Sequence, residues 1–156
     1  MPASTALFAP NANSYRRFDP EWYAPVTLGW AHNNRFMAVR TPPGEGAARR
    51  FEHRAAGSDA SPHLVVAAVL AAALKGMEDG ILPPEPYGVM AKPDHTAPRV
   101  PERWYTALAA FKESEELYSR LGPEFCEMYH AVRALEEREG HKQVPLADYE
   151  TYLRLL

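Results

Sequence analysis

The sequence predicts an α+β fold, with antiparallel strands in the N-terminal third and a mostly helical C-terminal part. Three observations carry this. Residues 35–40 (Arg-Phe-Met-Ala-Val-Arg) and 50–54 (Arg-Phe-Glu-His-Arg) alternate with the period of two that sends successive side chains to opposite faces of a sheet. From Ser61 onward, apolar residues run continuously or recur three and four apart, which is helical spacing. Helix stop signals then follow at Gly80, Gly122-Pro123 and Gly140.

Taken in order, residues 1–10 read as a flexible lead-in with one apolar pair, Leu7-Phe8. Asn11 to Tyr15 reads as a turn, because Asn and Ser side chains hydrogen-bond nearby backbone. Val26–Trp30 and Arg35–Thr41 read as antiparallel strands joined by the polar turn Ala31-His32-Asn33-Asn34. Residues 42–48 (PPGEGAA) form a flexible loop by composition. In the strand at 50–54, Arg50, Glu52 and Arg54 share a face at roughly 7 Å between neighbours. His53 falls on the other face, where packing is the simpler role.

Ser61 and Pro62 then open a helix as N-cap and first turn. Leu64 to Leu74 is apolar without a break, so this helix is expected to be buried on all sides, yet it is too short to span a bilayer. Gly80 and Pro83-Pro84 end it. Residues 81–101 hold six of the fifteen prolines and read as an extended connector. A helix over 101–112 puts Trp104, Leu108 and Phe111 on one side. Ser114 caps a short helix that stops at Gly122-Pro123. The next helix is expected to turn Phe125, Met128, Tyr129, Val132 and Leu135 inward, with its charged end at Glu136–Glu139 facing solvent. A last helix over 145–156 carries Leu146, Tyr149, Leu153 and Leu156 on one stripe. The expected organisation is one domain over 1–156: lead-in 1–10, anion-reading strands 11–60, helical part 61–156.

Composition narrows the function classes. With 46% hydrophobic and 11% aromatic residues, the 156-residue chain can build a modest core and does not resemble a disordered segment. Net charge is −3, but residues 1–60 carry seven basic against five acidic groups, while 61–156 carry ten against fifteen. Seven of the thirteen arginines lie between Arg16 and Arg54. That excess is too small and too poor in lysine for nucleic-acid binding. Cys126 is alone, so no internal disulfide forms, and a reducing cytoplasm is expected. Residues 1–10 show no signal peptide, and no membrane span is expected. The histidines show no ligand spacing, and there is no glycine-rich phosphate loop.

The arginines have two readings by spacing alone. Guanidinium forks match carboxylate and phosphate oxygens two at a time, so several on one face suit a multiply anionic substrate. Arg-x-Glu-x-Arg is also the pattern of a solvated strand with cross-strand ion pairs worth about 0.2–1 kcal/mol each.

Six motifs in register favour the first reading. They are Asn13-Ser14-Tyr15-Arg16-Arg17, Asp19-Pro20-Glu21-Trp22-Tyr23-Ala24-Pro25, Asn34-Arg35, Arg40-Thr41-Pro42, Arg50-Phe51-Glu52-His53-Arg54 and Asp59-Ala60-Ser61-Pro62-His63-Leu64. Together they resemble the C-terminal half of the catalytic domain of glutamine synthetase, and are closest in look to the branch that makes γ-glutamyl amides of organic amines and polyamines. The resemblance implies that the predicted strands belong to a larger catalytic sheet. It implies an ATP-dependent ligase that phosphorylates the γ-carboxylate of glutamate and lets an amine attack the acyl phosphate. It assigns glutamate binding to Arg17 and Arg54, a catalytic contact to the transferred phosphoryl group to Arg35, ATP phosphates to Arg35, Arg40 and Arg50, and the metal (Mg²⁺ or Mn²⁺) to Glu52. The implied partners are glutamate, an amine, and either further copies of the chain or a complementary N-terminal half. In that family the C-terminal helix also inserts into a neighbouring ring.

The sequence departs from the family pattern at several points. Tyr23 stands where ammonia-using members carry a flap glutamate that deprotonates ammonium, and Glu21 replaces the flap glycine. A tyrosine is a poor base at neutral pH but can wall a pocket for a larger amine. Ser61 and His63 replace an asparagine and a tyrosine. The family's other metal ligands lie almost entirely upstream of Asn13. The chain by itself is therefore expected not to form the amide, and two readings stand: the C-terminal portion of a glutamate–amine ligase, or a non-catalytic remnant or assembly partner that keeps the fold.

Overall fold

The computed structural model describes residues 1–19, 24–92 and 96–153. Elements follow in chain order: α1 (Thr5–Phe8), β1 (Thr27–His32), β2 (Met37–Thr41), β3 (Glu52–His53), α2 (Pro62–Glu78), α3 (Trp104–Lys112), α4 (Glu115–Leu121), α5 (Pro123–His141) and α6 (Leu146–Tyr152). A 3₁₀ turn, Ala12–Arg17, follows α1. The α+β class and its division into N-terminal strands and C-terminal helices hold.

The strand pairing differs from expectation. The three-stranded sheet has the order β1-β2-β3, with β2 and β3 antiparallel but β1 and β2 parallel, Trp30 beside Val39 and His32 beside Thr41. The polar link 33–36 is therefore not a hairpin turn; it carries the chain back along the sheet. Two features of the link permit this. Asn33 takes the left-handed conformation at φ 53°, which asparagine tolerates better than most residues. Asn34 is buried, donates its amide to the carbonyls of Gly88 and Ala91 (2.8 Å each), and accepts from the Phe36 N–H at 2.8 Å. That polar anchor replaces the ladder bonds of a hairpin.

The proline-rich connector supplies the missing partner of β1. Leu28 N–H donates to Pro98 O, Tyr87 N–H to Trp30 O, and Val100 N–H to Val26 O, at 2.7–2.9 Å. The Trp30 indole adds a bond to Pro84 O at 2.7 Å. Prolines limit this segment to scattered bridges rather than a strand.

The expected flexible lead-in is instead the centre of the core. All four residues of α1 are buried, and Leu7 and Phe8 pack with Phe111, Leu108, Val100 and Tyr129. The Tyr129 hydroxyl donates to Ala6 O at 2.8 Å, tying α5 to α1. Trp104, Leu108 and Phe111 face inward as expected.

Helix α2 is not buried on all sides. Its small residues make the close contact: Ala68 and Ala71 are buried, with Leu64, Val65 and Val69 partly covered. Val66 (56%), Leu70 (56%) and Met77 (70%) are exposed. Alanines let the helix axis approach its neighbours closely, which turns the larger side chains outward. In α5, Tyr129 and Cys126 are buried while Met128, Val132 and Leu135 are exposed, contrary to expectation. The stripe of α6 is also exposed at Leu146, Tyr149 and Leu153; Leu156 lies outside the described residues. Among the described residues, no helix is long and apolar enough to cross a membrane.

Candidate functional site

The period of two gives the sheet two chemically distinct faces. Val39 pairs with His53 and lies beside Trp30, whereas Arg40 pairs with Glu52. On the apolar face a 540 Å³ groove is lined by Met1, Leu28, Trp30, Val39, Phe51 and Pro83-Pro84. The other face carries the charges.

Arg40 is the centre of that charged face. Its Nη1 donates to Glu52 Oε2 at 2.8 Å and its Nη2 donates to Asn33 Oδ1. Its side chain is 16% exposed against 34% for Glu52. Arg50 approaches the second oxygen of Glu52 at 3.8 Å, is more exposed, and donates to Ala48 O at 3.2 Å. The Arg54 backbone N–H donates to Ala38 O at 2.9 Å, continuing the β2–β3 pairing. Burial lowers the pKa of the Arg54 guanidinium; the charges of Arg40 and Arg35 act the same way and Glu52 opposes them. Arg35 sits in the link before β2, not in the strand itself, and is exposed. Beside the charged face, a 360 Å³ cleft is bounded by His32, Asn33, Thr41, Pro42, Arg49 and Arg50.

Arg17 reaches the cluster from the end of the 3₁₀ turn. It donates to Ala55 O and stacks over Phe18, with Cζ 4.9 Å from the ring centre. Burial lowers its pKa, Asp59 opposes that, and Arg54 reinforces it. The fold thus groups Arg40, Arg50 and Arg54 around one carboxylate, Glu52, with Arg17 and Arg35 within electrostatic reach of Arg54. Such a crowd of like charges favours a bound anion. Tyr23 lies outside the described residues, as does most of the expected flap.

Sequence reasoning missed Asn33, which holds Arg40, and Asp59, which holds the Arg17 turn. The signal for Asp59 was in its motif, but its partners lie 45 and 48 residues away.

The metal test gives a divided answer. Among the described residues, no group of three or more His, Cys, Asp or Glu side chains converges to hold an ion. A protein cage for free metal does not fit. One carboxylate beside a group of arginines does fit Mg²⁺ delivered with a nucleotide, since that ion keeps phosphates and waters as ligands.

His53 has a packing role, as its position on the apolar face predicts. Its ring lies 4.4 Å from Phe8, and burial, aided by the N-terminus and Arg17, depresses its pKa to about 4. A depressed histidine adds stability that is present above its unfolded pKa near 6.5 and lost as pH falls toward 4. Thermal melts between pH 7 and 4 are expected to show an acid loss of about 2 kcal/mol, discounted for partial solvent contact. His53→Phe is expected to flatten that slope; an unchanged slope would assign it to the carboxylates.

With this geometry established, comparison with known proteins is informative. Residues 1–152 match the glutamine synthetase catalytic domain. The chain belongs to that family. Gamma-glutamylputrescine synthetase PuuA of Escherichia coli K12 is 39% identical over 154 residues, covering 99% of this chain and 32% of that protein. Gamma-glutamylethanolamide synthetase GlnA4 of Streptomyces coelicolor is 46% identical over 80 residues, covering 51% of this chain and 17% of that protein. Among solved structures, the GmaS/ADP complex superposes with a TM-score of 0.81 at 25% identity, over 97% of this chain and 36% of GmaS. The chain therefore spans about a third of the length of the relatives it matches end to end. Glutamine synthetase-type ligases are enzymes of glutamate and nitrogen metabolism, and the arginine cluster belongs to a catalytic domain of that type.

Proposed function

We propose that this chain is the C-terminal portion of an ATP-dependent glutamate–amine ligase that forms γ-glutamyl amides and is incomplete by itself. The observation that carries the reading is the gathering of Arg40, Arg50 and Arg54 around Glu52 at the polar face of the sheet, with the charges of Arg17 and Arg35 acting alongside Arg54. Arg17 and Arg54 hold a glutamate carboxylate. Arg35, Arg40 and Arg50 neutralise ATP phosphates, with Arg35 at the transferred phosphoryl group, and Glu52 contacts the Mg²⁺ or Mn²⁺ that travels with the nucleotide. When bound, the metal ion would screen phosphate charge. The arginines position and stabilise charge without covalent help, which is what phosphoryl transfer asks of a protein. Tyr23 would wall the amine pocket. The relatives named as synthetases of gamma-glutamylputrescine and gamma-glutamylethanolamide support an organic amine over ammonia, and the ADP complex of GmaS supports the nucleotide.

The missing carboxylates would come from a complementary N-terminal half, with further copies of the chain as the other expected partner, working in the cytoplasm. Support comes from the exposed apolar surface: the groove at Trp30 and Phe51 and the outward residues Val66, Leu70 and Met77 of α2 are apolar surface that a partner would cover. The second reading, a non-catalytic remnant or assembly partner, is favoured by the single carboxylate at the cluster.

Calorimetric titration with Mg-ATP, with and without glutamate, tests the choice. Wild-type chain is expected to bind both, and Arg54→Ala is expected to weaken glutamate at least about tenfold, a hydrogen-bonded charge being worth roughly 1.5–3 kcal/mol. No binding at millimolar ligand would leave the remnant reading in place.

A further inference from the structure

We propose that Asp59, braced by Ser14 and Asn11, is a positioning residue that fixes the Arg17 guanidinium beside Arg54 to receive a carboxylate. The inference rests on the reading of Arg17 as a substrate residue and adds what holds it in place. An arginine side chain carries about 2 kcal/mol of rotamer entropy, so its fixation needs a source. Three segments provide one.

Asp59 Oδ2 accepts from the Ser14 hydroxyl at 2.6 Å and from the Asn11 amide at 3.4 Å. Ser14 is buried, and its Oγ also accepts the Asn11 backbone N–H at 3.1 Å. The carboxylate therefore grips the start of the 3₁₀ turn whose last residue is Arg17. The other oxygen, Oδ1, faces the guanidinium across Gly57. A Cβ placed on Gly57 would lie 2.5 Å from Asp59 Oδ1 and 3.2 Å from Arg17 Nε. Carboxylate and guanidinium thus share the space that any side chain at position 57 would fill, so the glycine is required by close approach. The Gly57 N–H donates to Phe8 O at 2.9 Å, which locks this loop to the core.

The arrangement is electrostatically asymmetric. Arg54 repels Arg17, and the charge of Asp59 offsets that repulsion. Arg17 Nε is buried without a hydrogen-bond partner. The guanidinium is pinned through the Ala55 carbonyl and the Asp59 charge, and in this proposal its terminal nitrogens, not the buried Nε, meet an incoming carboxylate. The bracket pre-organises the site so that the ligand does not have to order the side chain.

The test uses the full chain, labelled with ¹⁵N, and follows the arginine Nε–H signals by NMR together with glutamate titration. Asp59→Asn is nearly isosteric and removes the charge; Ser14→Ala removes the brace and serves if the first variant fails to fold. Either is expected to speed solvent exchange of the Arg17 Nε–H about tenfold and to weaken glutamate about tenfold, with Arg54 Nε–H and the melting temperature little changed. Unchanged exchange at Arg17 overturns the proposal, as does unchanged glutamate affinity once Arg17 has loosened. If wild-type chain binds no glutamate, the substrate role of Arg17 fails, and the exchange rates alone decide whether Asp59 positions it.

Discussion

Glu52→Ala is expected to abolish the magnesium-dependent part of ATP binding and to lower stability by about 1–3 kcal/mol. The stability loss follows from Arg40. Its side chain is 16% exposed, and Glu52 is its paired carboxylate at 2.8 Å. Removing one partner of a largely buried pair leaves the other charge uncompensated; a fully buried pair would lose about 3–5 kcal/mol, and partial exposure reduces this. Around Glu52 stand the guanidinium groups of Arg40, Arg50 and Arg54, so their mutual repulsion rises when the carboxylate goes. The binding effect has two signs. Mg-ATP should weaken at least about tenfold because the proposed metal contact is lost. Metal-free tripolyphosphate should tighten, because a negative charge no longer faces it. Calorimetric titration with and without Mg²⁺ reads both. Equal losses for the two ligands would mean that Glu52 only supports the arginines structurally.

Phe111→Ala is expected to be the most destabilising single change outside the site. The ring is fully buried and packs against Tyr118 and Tyr129, with centroids 6.4 and 5.4 Å away. Truncation of a buried phenylalanine costs about 3–5 kcal/mol through lost transfer energy and the cavity left behind. Folded domains hold only about 5–15 kcal/mol in total. This chain, with apolar faces of α2, α5 and α6 in water, should sit at the low end. Urea melts followed by near-UV circular dichroism are expected to show a midpoint close to zero denaturant. The effect should extend to the anion site, because α1 packs in the same core cluster as Phe111 and carries Phe8, which supports His53 and the Gly57 loop. A loss below about 1 kcal/mol would mean that the helical part folds independently of α1.

Much of the charged site is legible in the alternation of the sequence. A strand forces Glu52 and Arg54 to one side and His53 to the other, and it forces Arg40 away from Val39. Once β2 and β3 pair with Arg40 opposite Glu52, the polar face and the apolar groove follow from the period of two. The motif series added Arg17, which no periodicity could have joined to the strands; Arg35, read as the first residue of a strand, sits in the link before it.

Other features depended on contacts that sequence does not encode locally. A polar four-residue link between two strands signals a hairpin, yet here the Asn34 side chain binds the backbone of residues 88 and 91 and makes the strands parallel. An unbroken apolar helix signals full burial, yet the alanine side of α2 packs closest and leaves Val66, Leu70 and Met77 outside. A short apolar pair near the N-terminus signals little, yet Leu7 and Phe8 sit at the centre of the core because α3 and α5 close over them.

The sequence by itself determined the strands and the helices from Ser61 onward, the two faces of β2 and β3, and the family to which the chain belongs. These rest on local backbone stereochemistry and on motifs fixed in register. Only the tertiary structure decided the strand direction, the outward face of α2 and the bracket of Asp59 on Arg17. Each of these depends on hydrogen bonds or close packing between residues tens of positions apart, whose free energy overrides local preference once the chain has folded.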